Sequence, residues 1–489
     1  MPPLVDLGDM NLWTLSKGDL KKYPHFDAPI GSKEAVAYVS DPAVVASHSF
    51  YPFLRYVKRW NRYAKKGKAG KPKERPIRYA ARLDAYIFSY YRYQLSELYE
   101  AELARLKLGN NILAYRRIVD PIGGGGKTNI HFARDAISEI RSVGDCYAIC
   151  LDVSNYFESL DHQRLKSIWC RLLDVNKLPD DHFAVFKAIT SYSYVEKMDA
   201  YRRLGYFGKK ILKSGKSVDG FLVSKKDIPR QLCSPSDFRK KISGVGGKSI
   251  IKKNQKPYGV PQGAPLSDLL ANFYLIDFDL EMKKIMAKRG GTYFRYSDDI
   301  LLVGRGTEKQ ARNLLKKVQA LIRKFGSQLE VKDKKTTGHL FAKIGSSQSC
   351  VRFAGESGGN GLEYLGFRYD GNGVFIRNST LSNLNRKLLF AARSHANRVA
   401  ASFQGKTADE AWEIFRFENF FQRFGRVEYF EESSGDVKNW TFWTYARRAS
   451  LLLGSDGQKI LRQLRDFKRS AQVKARREVE NAVAMQKPT

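Results

Sequence analysis

The chain has 489 residues, with 85 Lys and Arg against 50 Asp and Glu, a formal charge of +35 and a pI near 9.8. Hydrophobic residues make up 43% and aromatics 12%, enough to build packed cores, which excludes a wholly disordered basic tail. So large a cationic excess asks for an anionic partner, nucleic acid first and an anionic membrane surface second. No stretch approaches the roughly 18 apolar residues of a membrane span. The opening MPPLVDLGDM has no leader pattern, so no membrane partner and a cytoplasmic location are expected. Five cysteines without a CxxC pair point away from zinc ribbons and toward a reducing compartment.

In chain order, the first 50 residues mix turn signals with short apolar pieces and show no clear period. Residues 58–78, KRWNRYAKKGKAGKPKERPIR, form the first basic cluster, whose Gly- and Lys-rich middle reads as a loop or hairpin tip. Apolar spacing of three and four predicts helices over 82–107 and 129–142. YAICLDVSNYF (147–157) reads as a short apolar strand ending in a carboxylate. Residues 202–256 carry sixteen Lys and Arg against three Asp, and their Gly and Ser content predicts hairpins and loops rather than a packed layer. GVPQGAPLSDLLANFYLIDFDLEMKKIM (259–286) is a Gly/Pro turn opening a long helix. TYFRYSDDILLVG (292–304) reads as a hairpin, and 308–325 as an amphipathic helix. LEYLGFRYDGNGVFIR (362–377) reads as a second hairpin with DGNG as its turn. From about 380 the chain is helix-like and basic to its end.

Three carboxylates stand out by their surroundings. Asp152 ends an apolar strand, and Asp298 and Asp299 are adjacent at a turn between two more. Strand residues alternate faces, so acids closing neighbouring strands can converge. Converging carboxylates repel unless a divalent cation neutralises them, and Mg²⁺ commonly bridges such acids to substrate phosphates. Two ions can clamp the attacking and leaving oxygens of a phosphoryl transfer. An Asp-Asp pair at a turn is by itself ordinary turn chemistry; the company it keeps changes its weight. In GVPQGAPLS (259–267), Gly263 permits a close backbone approach and Gln262 can bond a base or sugar edge. GGGGKT (123–128) has a phosphate-loop look, but Pro121 stands where that motif needs its first Gly, so it reads as a loop.

The order and content of these segments resemble reverse transcriptases. KERPIRYAARLDAYIF (73–88) and AYRR with GKTNIHFA (114–133) are similar to the two fingers motifs. YAICLDVSNYFESLDHQRL (147–165) resembles the first catalytic motif, GVPQGAPLSDLLANFYLIDFD (259–279) the PQG motif and FRYSDDILLV (294–303) the YxDD box, with Ser at the position where Ala is common. VKDKKT (331–336) and EYLGF (363–367) are similar to the Lys-Thr motif and the primer grip.

The resemblance implies an α+β right-hand polymerase with fingers, a ferredoxin-like palm and a helical thumb. On it, residues 1–55 are an N-terminal extension, 56–145 fingers, 146–375 palm with a basic insert at about 180–256, and 376–489 a basic thumb. It implies that Asp152, Asp298 and Asp299 are catalytic and, with the Val153 carbonyl, hold two Mg²⁺ ions, for which Mn²⁺ can substitute. Lys73 and Arg75 meet the triphosphate, Phe157 excludes a ribose 2′-OH and Gln262 touches the templating pair. Lys335 or its neighbour Lys334 donates a proton to pyrophosphate. Gly263, Tyr296, Leu365 and Gly366 lie along template and primer. The implied substrates are dNTPs on an RNA/DNA duplex.

The N-terminal extension, the basic insert ending IIKKNQKPYGVPQG and the segment SPSDFRKKI resemble the bacterial defence-associated reverse transcriptases, the unknown group. That resemblance implies a structured companion non-coding RNA as template, a role in anti-phage immunity and, in some members, a homo-oligomer. A group II intron-derived or retron-like enzyme is the alternative, although paired zinc-site cysteines, VTG and NAxxH are all missing from the sequence. An inactive RNA-binding scaffold is the third reading, and the intact acids speak against it.

Overall fold

The computed structural model describes residues 13–60, 72–121, 125–212, 215–355, 360–403, 405–425 and 441–485. Most of the Lys-rich tip expected within 58–78, part of GGGGKT and the last four residues lie outside them. In chain order the strands are β1 (Phe53–Trp60), β2 (Lys73–Tyr79), β3 (Cys146–Asp152), β4 (Ser193–Glu196), β5 (Phe207–Ile211), β6 (Ser217–Phe221) and β7 (Lys252–Lys253). They continue with β8 (Thr292–Tyr296), β9 (Asp299–Gly304), β10 (Thr337–Ile344), β11 (Ser347–Ala354), β12 (Leu362–Tyr364), β13 (Phe367–Tyr369) and β14 (Val374–Ile376).

Five strands form the central antiparallel sheet in the order β11-β10-β3-β9-β8. Helices Ser267–Tyr274 and Ile276–Ala287 connect β3 to β8, and helix Glu308–Arg323 connects β9 to β10. Strands, helices and spatial order together make the split βαββαβ, or ferredoxin-like, arrangement. Period-2 alternation assigns its two faces. Ile149, Leu151, Ile300 and Leu302 pack with Phe273, Ile276, Leu314 and Val318. Ala148, Leu301 and Val303 belong to a second core with Ile137, Ile140, Phe367 and Tyr369. Both faces are covered, which is why these strands read as continuous apolar runs rather than as alternating ones.

The expected helices are present at Arg82–Arg105, Asn129–Val143 and Glu308–Arg323, the last opened by a Thr307–Gln310 capping box. Three expectations change. The long helix after GVPQG breaks at Leu275 into two, because Leu275 leaves the helical conformation (ψ 13°). Residues 362–377 form three strands, not one hairpin. Leu365 (φ 46°) and Gly366 (φ 94°) make a first turn before DGNG makes the second. The basic insert is not merely hairpins and loops: its Leu232 and Ile242 join Val195, Tyr201 and, from the N-terminal segment and β1, Phe26 and Leu54 in a small shared core. Its apolar members are scattered along the sequence, so composition hid them. Helices Ser32–Ser40 and Pro42–Ala46 also went unseen, since only Ala35, Val39 and Val45 are buried and so few residues show no period. The described C-terminal residues are mostly helical, as expected, and Asn378–Ser402 packs along Phe467–Ala484 through Leu388, Ala392, Ala396, Ala471 and Ala475. No helix among the described residues is long and apolar enough to cross a membrane.

One polar cluster lies inside this apolar frame. Arg295 of β8 is fully buried and donates to both carboxylate oxygens of fully buried Asp279, at 2.7 and 2.6 Å. It also donates to the Asn272 carbonyl at 2.8 Å and the Ser297 carbonyl at 3.3 Å, while the Tyr293 hydroxyl bonds Asp279 at 2.5 Å. Burial pushes the Asp279 carboxyl up and the Arg295 guanidinium opposes it. Removing one partner leaves the other charge buried and unpaired, so Arg295→Met should destabilise the fold by about 3–5 kcal/mol in a denaturant titration. Replacing the set together (Arg295→Met, Asp279→Leu, Tyr293→Phe) should recover most of that loss.

Candidate active site

The acids meet at one end of the central sheet. Asp152, the last residue of β3, stands opposite Asp299, the first residue of β9. Asp298 lies in the β8–β9 turn, whose Ser297 takes a left-handed φ of 60° and is buried. The Val153 amide donates to the Asp298 carbonyl at 3.0 Å, which ties the end of β3 to that turn. Val153 itself is buried and bridges to Val331. Lys335 follows in a short helical turn, Asp333–Lys335, and forms an ion pair with Asp152; Lys334 beside it does not. Burial pushes the Asp299 carboxyl up to about 7, with Asp298 and Asp152 adding repulsion and Arg377 and Lys335 opposing. Burial, then the Asp152 charge, raises Asp298 as well.

This donor set fits a hard divalent cation: carboxylate oxygens only, mutually repelling, and partly withdrawn from water. Among the described residues no three His, Cys, Asp or Glu side chains form a preformed metal cluster. The acids are arrayed on adjoining strands, with Lys335 as counter-ion to Asp152.

The neighbouring segments converge through the backbone. The Val260 amide donates to the Phe157 carbonyl at 2.8 Å, and the Gly259 amide to Leu160 at 2.8 Å. Phe157 is half-buried, edge-on to Tyr156. The Gln262 carbonyl accepts from the Arg78 amide of β2 at 2.9 Å. Gly263 has φ 119°, and a Cβ there would come within 2.6 Å of the Arg78 carbonyl. Its glycine therefore serves a strand crossing at this point. Tyr296 closes β8 opposite Asp299 and lies 6.0 Å from the ring of Phe132. The Leu365 carbonyl accepts from Asn129 at 3.1 Å, and the Gly366 carbonyl accepts from the Arg377 amide at 3.0 Å. Arg75 sits exposed on β2 opposite Lys58 of β1; the Lys73 side chain lies outside the described residues.

Three residues at the site escaped the sequence reading. Arg78 is buried, pairs with Glu158 at 3.2 Å and lies over the rings of Tyr192 and Tyr194. It thereby joins β2 to both the first catalytic motif and GVPQG. Its odd offset from Arg75 on a strand, which turns it to the other face, was the available signal. Arg377 faces Asp299 and pairs with Glu363 at 3.8 Å. Tyr115, at a left-handed φ of 60°, sits in electrostatic reach of Asp298. Nothing in the sequence places either beside the acids, since Arg377 is 78 residues from Asp299 and Tyr115 is 183 from Asp298.

Residues 239–369 match the family model described as reverse transcriptase (RNA-dependent DNA polymerase). The chain contains a reverse transcriptase domain. That domain is an RNA-directed DNA polymerase domain, and its span takes in Gln262, Asp298, Asp299, Lys335 and the Leu365–Gly366 turn. No curated protein matches the sequence. Among solved structures, the chain is similar to telomerase from Candida albicans in complex with a TWJ fragment of telomeric RNA, with 14% identity, a TM-score of 0.37, and coverage of 92% of this chain and 68% of that one. It is also similar to an apo telomerase from Candida tropicalis truncated from its C-terminal domain, with 13% identity, a TM-score of 0.33, and coverage of 62% of this chain and 52% of that one. The chain thus spans about half the length of the latter.

A divalent cation such as Mg²⁺ should raise the melting temperature of the wild-type full chain, because a ligand that binds only the folded state stabilises it. The rise should shrink or vanish in Asp152→Asn and Asp298→Asn, as read by calorimetry at matched ionic strength.

Proposed function

We propose that the chain copies RNA into DNA at the Asp152–Asp298–Asp299 site. The single observation that carries this reading is the convergence of these acids at the end of the sheet, inside and beside a reverse transcriptase domain. In this reading residues 146–375 are palm with a basic fingers-type insert at about 180–256, 56–145 fingers, 376–489 thumb and 1–55 an extension. Asp152, Asp298, Asp299 and the Val153 carbonyl would hold two Mg²⁺ ions, which when bound stabilise the charge on the attacking and leaving oxygens.

The chain's own residues supply the rest. Asp152 is held by the β3–β9 register and Asp298 by the Val153 amide, so neither acid must be ordered during the reaction. Lys335, ion-paired with Asp152, would donate a proton to departing pyrophosphate. Arg75, with Lys73, would bind the triphosphate by charge-assisted bonds. Phe157 would present its ring where a ribose 2′-OH would lie, so deoxynucleotides are selected. Gln262 and Gly263, braced on β2, would lie against the templating pair, and Tyr296 with the Leu365–Gly366 turn would lie along the primer.

The template is proposed to be a structured companion RNA and the biological role anti-phage defence in bacteria. The basic insert and the SPSDFRKKI segment support this reading. Purified chain with dNTPs, Mg²⁺ and its co-purifying RNA should make DNA, and Asp298→Ala should reduce product to background. Product persisting in that variant overturns the mechanism. Phe157→Ala should raise ribonucleotide incorporation relative to deoxynucleotide by about tenfold or more, or about 1.4 kcal/mol of discrimination; single-nucleotide extension measures it.

A further inference from the structure

A cleft of about 500 Å³ lies away from the acids, where β1 meets the basic insert. Its walls include Arg55, Tyr56, Lys197, Tyr201, Phe221 and Lys225. The Lys197 ammonium is half-buried among three tyrosine rings: Tyr201 at 5.4 Å, Tyr56 at 5.9 Å and Tyr79 at 6.0 Å. Among the described residues Lys197 has no carboxylate within ion-pair distance, and neither has Lys225. Lys225 instead sits 4.8 Å over the Phe221 ring. The one carboxylate in the wall, Glu196, is taken by Arg55. Burial pushes the Lys197 ammonium below its ordinary range, and Lys225 adds to the effect.

Two ammonium groups therefore face one cleft without a counter-charge. The rings beside them supply cation–π attraction, which for half-buried Lys197 offsets only part of the cost of withdrawing its charge from water, while Lys225 is exposed. An anion entering the cleft would repay the rest. Its chemistry follows from what the walls offer. The only guanidinium there is committed to Glu196, so the bidentate fork that suits a carboxylate is missing, while point-charge ammonium groups suit phosphate. Tyr56 is 40% exposed and gives a ring face open to stacking. The volume lies within the range of about 300–1,000 Å³ usual for ligand clefts. Lys210, Lys216 and Lys226 are also exposed on the same insert.

We propose that this cleft binds one unstacked nucleotide, its base on Tyr56 and its phosphate between Lys197 and Lys225. The nucleotide belongs either to a single-stranded RNA segment crossing the insert or to a free nucleotide. The site makes no use of the carboxylates, so it stands or falls apart from polymerase activity.

Fluorescence anisotropy on the full chain in an Asp298→Ala background tests it, with a labelled ten-nucleotide single-stranded RNA and a fluorescent adenosine monophosphate as probes. Lys197→Gln should weaken binding about fivefold or more and lower the salt slope by about 0.7, the loss of one phosphate contact on a single strand. Tyr56→Ala should weaken binding about tenfold with the salt slope unchanged, as expected for loss of a stacked base. Losses seen with the RNA alone assign the cleft to a strand, and equal losses with the mononucleotide assign it to a free nucleotide. If Lys197→Gln fails to fold, Lys225→Ala and Tyr56→Ala, both at exposed side chains, carry the test. Wild-type affinity and salt slope for both probes in folded variants overturn the proposal.

Discussion

The buried Arg295–Asp279 pair is the constraint on which the rest of the molecule turns. A charge in an apolar interior is tolerated only when every partner is in place, and this one has them. Asp279 comes from a helix between β3 and β8, and Asn272 from the helix before it. The Ser297 carbonyl belongs to the turn that carries Asp298. The Arg295 amide also bonds the Asn111 carbonyl at 2.7 Å, and the Leu113 amide bonds the Arg295 carbonyl at 2.9 Å. One guanidinium therefore fixes helices, strand and turn relative to each other directly beneath the acids. A hydrophobic side chain could fill the same volume, but it could not hold the turn by its carbonyl.

That anchoring answers a cost imposed by the site itself. Asp298 and Asp299 are pressed together against Asp152 in a place that burial makes unfavourable for charge. Left alone, a left-handed turn bearing two acids would relax outward toward water. It is held from below by Arg295, from the side by the Val153 amide and electrostatically by Lys335 and Arg377. The repulsion that remains is what makes the donor set receptive to divalent cations.

Much of this was legible in the sequence, and for identifiable reasons. β3 and β9 are buried on both faces, so they stood out as apolar runs, and acids at their ends were conspicuous. The helix at Glu308–Arg323 carries one apolar stripe, and its start is marked by a capping box. Gly263 stands at a close backbone approach, with the Arg78 carbonyl of β2 as its neighbour. What stayed hidden depends on distant contacts: Arg78 against Glu158 and Gln262, Arg377 near Asp299, and the small core the insert shares. Arg295 was passed over because an arginine inside FRYSDD looks like surface charge until Asp279 is seen beside it. The +35 charge likewise resolves into different environments. Some arginines are buried struts, such as Arg82, Arg78 and Arg295. Lys197 and Lys225 line a cleft, and other lysines of the insert face solvent.

On the proposed function, the buried pair positions the carboxylates for RNA-templated DNA synthesis. The most direct test is the rate of dNTP incorporation on an RNA template by the Arg295→Met, Asp279→Leu, Tyr293→Phe protein, measured beside the wild type under conditions where both are folded. The account predicts that kcat falls by about tenfold or more while KM for the dNTP changes little, because the turn has lost its carbonyl anchor and the nucleotide contacts have not. A folded variant that incorporates dNTPs at the wild-type rate would contradict it.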